Sequence, residues 1–289
     1  MPGLNVGLNV SIARHIYLAV DRAVERTCTC FQIFARSPRR FRVPPLAEED
    51  AAEFRRRRLE AGLAPLAVHV PYLLNLASPD DDFWAECIEV YAEDLRRADA
   101  LGADLYVTHL GSPKWESPDF ALSRVADALE RVFETYAPSC RVLLENTAGG
   151  AIGHRWEHMA AIMERARGVG GLGVCLDTAH AFAAGYDVSR SDGLARMLDG
   201  MDRLFGLDRL CLVHANDSKT PLGSGLDRHE HIGRGAIGSK GFAALLAEGR
   251  LSRLPFILET PTKGLKDDIA NIRALRKAAR KVACRRGGD

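Results

Sequence analysis

ADLYVTHLGSPKWESPDFALSRVADALERVFETYAPSCRVLLENT, residues 103–147, reads as one complete strand–helix–strand unit. Asp104 to His109 and Arg141 to Glu145 are short apolar or β-branched runs, of the length and composition of buried strands. Between them, Phe120 to Tyr136 places apolar residues three and four apart with charges in the gaps, the period of an amphipathic helix.

Outward from this unit the pattern repeats in both directions. Eight such runs occur, Leu4 to Val10, Cys30 to Phe34, Pro65 to His69, Asp104 to His109, Arg141 to Glu145, Leu172 to Asp177, Arg209 to His214 and Pro255 to Glu259, separated by helical stretches such as Asp82 to Leu101. The length of 289 residues allows one domain or two. A single α/β barrel needs about 250 residues for itself. No Ser/Pro/Gly-rich linker interrupts the alternation, and no GxGxxG or GxxxxGK[ST] turn follows the first strand to suggest nucleotide binding. The pattern therefore predicts an α/β fold, a single (β/α)8 TIM barrel over residues 1–289, with a basic C-terminal tail from about residue 283.

Composition agrees. With 47% hydrophobic and 27% charged residues the chain can bury a large core, which excludes disorder and fibres. No apolar run approaches the roughly 18 residues that span a bilayer, and Arg14 breaks the N-terminal apolar stretch before it could act as a signal sequence. A cytoplasmic, unexported protein with no membrane partner is expected. The seven cysteines, none at CxxC spacing, read as reduced thiols, several in core strands. Lys plus Arg (39) balance Asp plus Glu (38), but residues 36–58 carry eight arginines against four acids and residues 271–289 seven basic residues against one acid. Such clusters are either footprints on a polyanion or solvated helix faces.

In a barrel of this kind chemistry sits at the C-terminal ends of the strands. The third to eighth runs end in His69, His109, Glu145, Asp177, His214 and Glu259. Any one of these could be an ordinary strand-end residue; six in succession around one mouth form a ligand set. Asp177 and His180 stand three residues apart as the sixth strand turns toward its helix, and Asp227 and His229 two apart, which in an extended segment puts both on one side. Five histidines and four carboxylates without thiolate suit catalytic zinc or manganese, and nine donors fit three ions with a bridging carboxylate. Four carboxylates against three divalent ions leave the pocket at about plus two, a charge that favours an anionic substrate such as a phosphodiester.

The stretches HVPYLLNLASP (His69 to Pro79), THLGS (Thr108 to Ser112), LLENTAGG (Leu143 to Gly150), GVCLDTAHAFAAGYD (Gly173 to Asp187), HANDSKTPLGSGLDRHEHIGRGAIG (His214 to Gly238) and ILET (Ile257 to Thr260) resemble the endonuclease IV family of apurinic/apyrimidinic endonucleases over nearly the whole chain. That resemblance implies a TIM barrel whose three zinc ions, with manganese an option at one position, incise duplex DNA on the 5′ side of an abasic or otherwise damaged nucleotide and leave a 3′ hydroxyl. It assigns His69, His109 and Glu145 to one ion; Glu145, Asp177, His214 and Glu259 to a second; and His180, Asp227 and His229 to the third. Glu145 is then the bridge, and Glu259 a second catalytic carboxylate that orients the nucleophile. It also implies DNA-contacting roles for Tyr72 and Leu73, whose other reading is core packing, and for Arg39 in FARSPRRFRVPP, with Arg36, Arg40 and Arg42 on phosphates. A monomer is expected.

One departure stands out: GLNVS (Gly7 to Ser11) has Asn9 where the family usually has His. Pro71 and Leu110 are lesser ones. His15, His154 and His158 are expected to face solvent, and His231 lies within reach of phosphate or of the ligands' own partners. The competing enzyme class is a divalent-metal sugar isomerase or epimerase of the xylose-isomerase-like superfamily, for which Glu145, Asp177, His214 and Glu259 alone would suffice. A DNA-binding protein that keeps its metal for structure only is a third reading.

Overall fold

The computed structural model describes residues 3–286, and all eight apolar runs are strands. In chain order the elements are β1 (Val6–Leu8), α1 (Leu18–Glu25), β2 (Phe31–Phe34), α2 (Glu48–Ala61), β3 (Leu66–His69), α3 (Asp81–Ala100), β4 (Leu105–Thr108), α4 (Pro118–Thr135), β5 (Arg141–Glu145), α5 (Trp156–Arg165), β6 (Gly173–Asp177), α6 (Thr178–Ala183), α7 (Ser191–Phe205), β7 (Leu210–His214), β8 (Asp217–Ser218), β9 (His229–Glu230), α8 (Gly238–Ala247), β10 (Phe256–Leu258) and α9 (Leu265–Arg286). Short polar caps start the helices where the strands' return loops end: Asp80 accepts from the Phe83 N–H ahead of α3, and Ser117, followed by Pro118, accepts from the Phe120 N–H ahead of α4.

Eight strands pair in the order β1-β10-β7-β6-β5-β4-β3-β2, and every pairing is parallel. The ring closes between β1 and β2 through a parallel bridge from Asn9 to Gln32, with Val10 N–H donating to the Gln32 carbonyl at 2.8 Å. Closure depends on Gly7. A Cβ at that position would stand 1.7 Å from the Cys30 carbonyl oxygen, so only glycine lets the two strands approach.

A small apolar cluster of Cys30, Ala67, Leu105, Val107, Leu143, Cys175, Leu212 and Ile257 plugs the barrel, apart from the larger layer between sheet and helices. Side chains alternate with a period of two along a strand. Two residues beyond plug members Ala67, Val107, Leu143, Cys175, Leu212 and Ile257 stand His69, His109, Glu145, Asp177, His214 and Glu259. Strand geometry therefore lifts all six into the layer above the plug, at the C-terminal mouth. Two residues beyond Cys30 stands Gln32.

An antiparallel ribbon, β8 with β9, was not legible as strands; it pairs Asp217 with Glu230 and Ser218 with His229. Buried Asp217 organises this excursion by accepting the backbone N–H groups of Ser218, Gly233, Gly235, Ile237 and Gly238. Of the basic tail, residues 283–286 continue α9 and residues 287–289 lie outside the described ones. Among the described residues no helix is long and apolar enough to cross a membrane, and all seven cysteines are free, five of them buried.

Candidate metal centre

All nine donors expected from the sequence meet at the barrel mouth. Buried Glu145, the last residue of β5, is the hub. Its Oε2 lies 3.1 Å from His69 Nε2 and 3.6 Å from His109 Nε2, and its Oε1 lies 2.9 Å from His214 Nδ1 and 3.7 Å from His180 Nδ1. His214 Nδ1 is also 3.3 Å from Glu259 Oε2 and 4.0 Å from Asp177 Oδ2. Asp227, on an exposed loop, reaches back to His180 Nε2 at 3.3 Å and His229 Nε2 at 3.1 Å.

Nitrogen and oxygen donors within 4.8 Å of one another fall into three groups: His69, His109 and Glu145; Glu145, Asp177, His214 and Glu259; and Asp177, His180 and His229. Glu145 is common to the first two, as a bridging carboxylate must be. The third group takes in Asp177 alongside the two histidines, with Asp227 against both imidazoles from the solvent side. Cys175, beneath the site, also comes near Glu145 and His214, and burial pushes its thiol up to about 12.

The imidazoles are oriented as metal ligands are, one ring nitrogen tied to the protein and the other turned inward. Nδ1 of His69, His180 and His229 is held by the carbonyls of Val70 (2.7 Å), Asn146 (2.8 Å) and Glu259 (2.9 Å). His214 is reversed: Nε2 donates to Gln32 Oε1 at 2.9 Å, leaving Nδ1 to the carboxylates. Buried His229 Nε2 makes no hydrogen bond, although carboxylate oxygens stand near it. A buried nitrogen aimed at two carboxylates without a hydrogen bond is a group that lacks its partner, and a divalent cation would supply it. The donor set fits.

Charge makes the same point. Burial alone would neutralise the hub and its partners, yet His109 and His214 hold the Glu145 carboxyl well below the usual range. Against their own burial, Asp177 and Asp227 lift His180 to about 10, and Asp177 with Asp227 lifts His229 to about 9. Against its burial too, neighbouring Cys175, Glu259 and Glu145 raise His214 well above its ordinary value. With no ion, protons on the histidines must offset four carboxylates; divalent ions would take over that role.

Three neutral side chains that the sequence reading passed over frame this cluster. Gln32, fully buried, bridges His214 to Glu259 Oε1, to which its Nε2 donates at 2.8 Å. Asn216 Nδ2 donates to Asp177 Oδ2 at 2.6 Å, and its Oδ1 accepts the Glu259 N–H. Asn146 Oδ1 accepts the Asp177 N–H at 2.7 Å. Asp177 meanwhile caps α6 by accepting the His180 N–H, which sets the spacing of that ligand pair. A polar residue in the apolar strand FQIF, two past a plug residue, was the available signal for Gln32.

Around the mouth a cavity of about 360 Å³ is lined by six of the candidate donors together with Asn9 and Tyr72. A second groove of about 710 Å³ shares Asn9 and continues between the loops after β1 and β2, past Arg14 and Arg39. Tyr72 is 68% exposed and Leu73 40%, so neither is packed in the core; the Tyr72 ring stands 5.5 Å from Phe34 and 6.3 Å from His109. Asn9 Oδ1 is buried without a partner beside the cavity.

The arginine cluster divides. Arg39 and Arg40 are exposed, and exposed Arg42 pairs with Glu89. Arg36 does not face phosphate: it is buried, its Nε 2.6 Å from Asp94 Oδ1 and its Nη1 bonded to the Arg40 carbonyl. Arg55 and Arg58 bind the carbonyls of Ala100 and Gly102, ahead of β4 and so at the opposite end of the barrel, while Arg56 and Arg57 pair with Glu53. His15 is exposed as expected, but His154 and His158 are half-buried against each other, and His158 Nδ1 accepts the Gly153 N–H. His231 reaches no ligand; it meets Asn271, which also binds Thr260.

Residues 20–282 match the family model described as xylose isomerase-like TIM barrel. A protein of Methanosphaerula palustris named probable endonuclease 4 is 44% identical over 281 residues, covering 96% of this chain and 98% of its own length. The crystal structure of endonuclease IV from Thermus thermophilus superposes with a TM-score of 0.84 at 36% identity, covering 96% of this chain and 99% of that one. A D-tagatose 3-epimerase-like protein, TM-score 0.71 and 19% identical over 98% of this chain and 99% of its own, shares the fold alone.

Proposed function

The chain belongs to the endonuclease IV family of xylose isomerase-like TIM barrels, and we propose from that premise how its mouth does the work of that family. It is a DNA-directed hydrolase, an apurinic/apyrimidinic endonuclease that cuts the phosphodiester 5′ to an abasic nucleotide and leaves a 3′ hydroxyl. The single observation that carries the reading is the meeting of nine donors at one mouth, beneath two exposed side chains, Tyr72 and Leu73.

Three divalent ions, zinc with manganese an option at one position, are proposed. His69, His109 and Glu145 would hold one, Glu145, Asp177, His214 and Glu259 the second, and His180, His229 and Asp227 the third, with Asp177 close to both of the latter positions. When bound, such ions lower the pKa of water and stabilise charge on phosphate oxygens. The residues of the chain do the rest. Glu145 places its two oxygens toward different histidine groups and so would be shared between two cations. Glu259, steadied by Gln32 and by a backbone bond to Asn216, presents an oxygen at the mouth to orient the attacking water. No side chain is needed as nucleophile.

Tyr72 and Leu73 fill the space left in the duplex by the missing base, and Arg39, on the groove beside Asn9, binds the strand that runs away from the site. One barrel carries the complete donor set, which supports a monomer. Free cysteines throughout support an intracellular location. An isomerase would use only Glu145, Asp177, His214 and Glu259 and would leave five buried or mouth-facing donors idle.

Incubating the purified protein with a duplex bearing one abasic analogue, with and without chelator, tests the proposal. Chelator-sensitive cleavage on the 5′ side and close to three ions per chain are expected; one ion per chain with no cleavage would return the isomerase reading.

A further inference from the structure

Trp115 lies in the loop that follows His109 and is 75% exposed, more than any other described aromatic residue. Its loop is built to hold it there. Lys114 has a left-handed backbone (φ 56°), a conformation non-glycine residues avoid unless their surroundings impose it. The Ser112 hydroxyl accepts the Lys114 N–H, the Pro113 carbonyl accepts the Glu116 N–H, and Ser117 caps α4. Lys114 Nζ stands 5.5 Å from the centre of the Trp115 ring.

This loop is joined to the one that carries Tyr72 and Leu73. Asn75 Oδ1 accepts the Ser112 N–H and Asn75 Nδ2 donates to the Ser112 carbonyl, both at 2.9 Å. Gly111 permits the contact: at φ 86° it has no Cβ, and one placed there would lie 2.1 Å from Asn75 Oδ1. The Tyr72 ring in turn stands 6.3 Å from that of His109, at the root of the second loop. The two loops form one rim.

An exposed, rigidly presented indole with an ammonium beside it matches one surface, the sugar and base of a nucleotide next to its phosphate. Resting on the function proposed above, we infer that Trp115 and Lys114 form a further DNA-specificity element, packing on a nucleotide that flanks the one whose gap Tyr72 and Leu73 fill. The joined loops then engage together, so Trp115 is covered when the lesion is seated.

The chain has three tryptophans, and Trp84 and Trp156 are buried, so iodide-quenchable emission reports Trp115. The metal-loaded protein is titrated with a duplex carrying an abasic analogue and a non-hydrolysable 5′ linkage, binding being followed independently by polarisation of labelled DNA. Iodide quenching should fall sharply at saturation. Trp115→Ala should raise KM on the cleavable abasic duplex about tenfold, the loss being in KM and not in kcat, and Trp115→Phe should recover most of it. Bound duplex with undiminished quenching, or an unchanged KM in Trp115→Ala, overturns the inference while leaving the endonuclease function standing. Failure of the wild type to bind or cut the abasic duplex overturns both.

Discussion

Gln32 is a neutral side chain that touches no substrate, and its replacement should nonetheless weaken the metal centre. Gln32→Leu keeps the volume but removes two buried hydrogen bonds, the 2.9 Å bond that fixes His214 with Nδ1 facing inward and the 2.8 Å bond to Glu259 Oε1. Partners of this kind, one step behind the ligands, typically cost about 10–100-fold in metal affinity when removed, which is about 1.4–2.7 kcal/mol. Both partners of Gln32 belong to one donor group, so the loss should fall on one ion of the three proposed. Competition with a graded series of chelators, read by ion content per chain, resolves this: one ion should leave at about 10–100-fold lower chelator strength while the other two hold. Gln32→Glu keeps an acceptor for His214 but sets a carboxylate against Glu259, and should lower the same affinity again. Wild-type retention of all ions in Gln32→Leu would refute the reasoning, because His214 and Glu259 would then be oriented by something else.

Glu145→Gln removes the charge shared by two donor groups, so turnover should fall at least about a thousandfold, with DNA binding much less affected; near-wild-type cleavage would show the hub to be misassigned. Stripping the ions should lower Tm, since ligands that bind only the native state stabilise it, and superimposable melting curves before and after verified removal would count against a bound cluster. Tyr72→Ala with Leu73→Ala should reduce the preference for abasic over intact duplex at unchanged salt slope, whereas Arg40→Ala should flatten the slope and keep the preference; isotherms across a salt series separate the two. Burial raises the Asp94 carboxyl from 3.8 to about 6 against the pull of Arg36, so its contribution to stability is fully present below about pH 3.8 and is lost as pH rises through 6. That loss should vanish from the pH–stability profile of Asp94→Asn, and parallel profiles for variant and wild type between about pH 4 and 7 would exclude it.

The amino-acid sequence alone carried the barrel and the donor residues that ring its mouth, and the reason is geometric. A parallel barrel directs all its strand ends to one mouth, so reading the last residue of each apolar run amounts to reading around a ring. Alternation with a period of two makes His69, His109, Glu145, Asp177, His214 and Glu259 continue the inward-facing line of Ala67, Val107, Leu143, Cys175, Leu212 and Ile257. Local order sufficed because each strand positions its own mouth-facing donor.

What only the tertiary structure decided were the partnerships between distant segments. Arg36, Arg39 and Arg40 look alike in the sequence, yet Arg36 is drawn inward because Asp94, 58 residues away on α3, meets it beneath the loop. Arg55 and Arg58 belong to the same basic run but hold carbonyls at the far end of the barrel, since a helix that returns along a strand carries its last turn away from the mouth. Gln32 carries no charge to mark it, and its value lies in bridging His214 and Glu259, 182 and 227 residues further along the chain. Pattern within a run follows from the period of the strand; which side chain faces which across the barrel is set by closure of the ring, and no short stretch of sequence contains it.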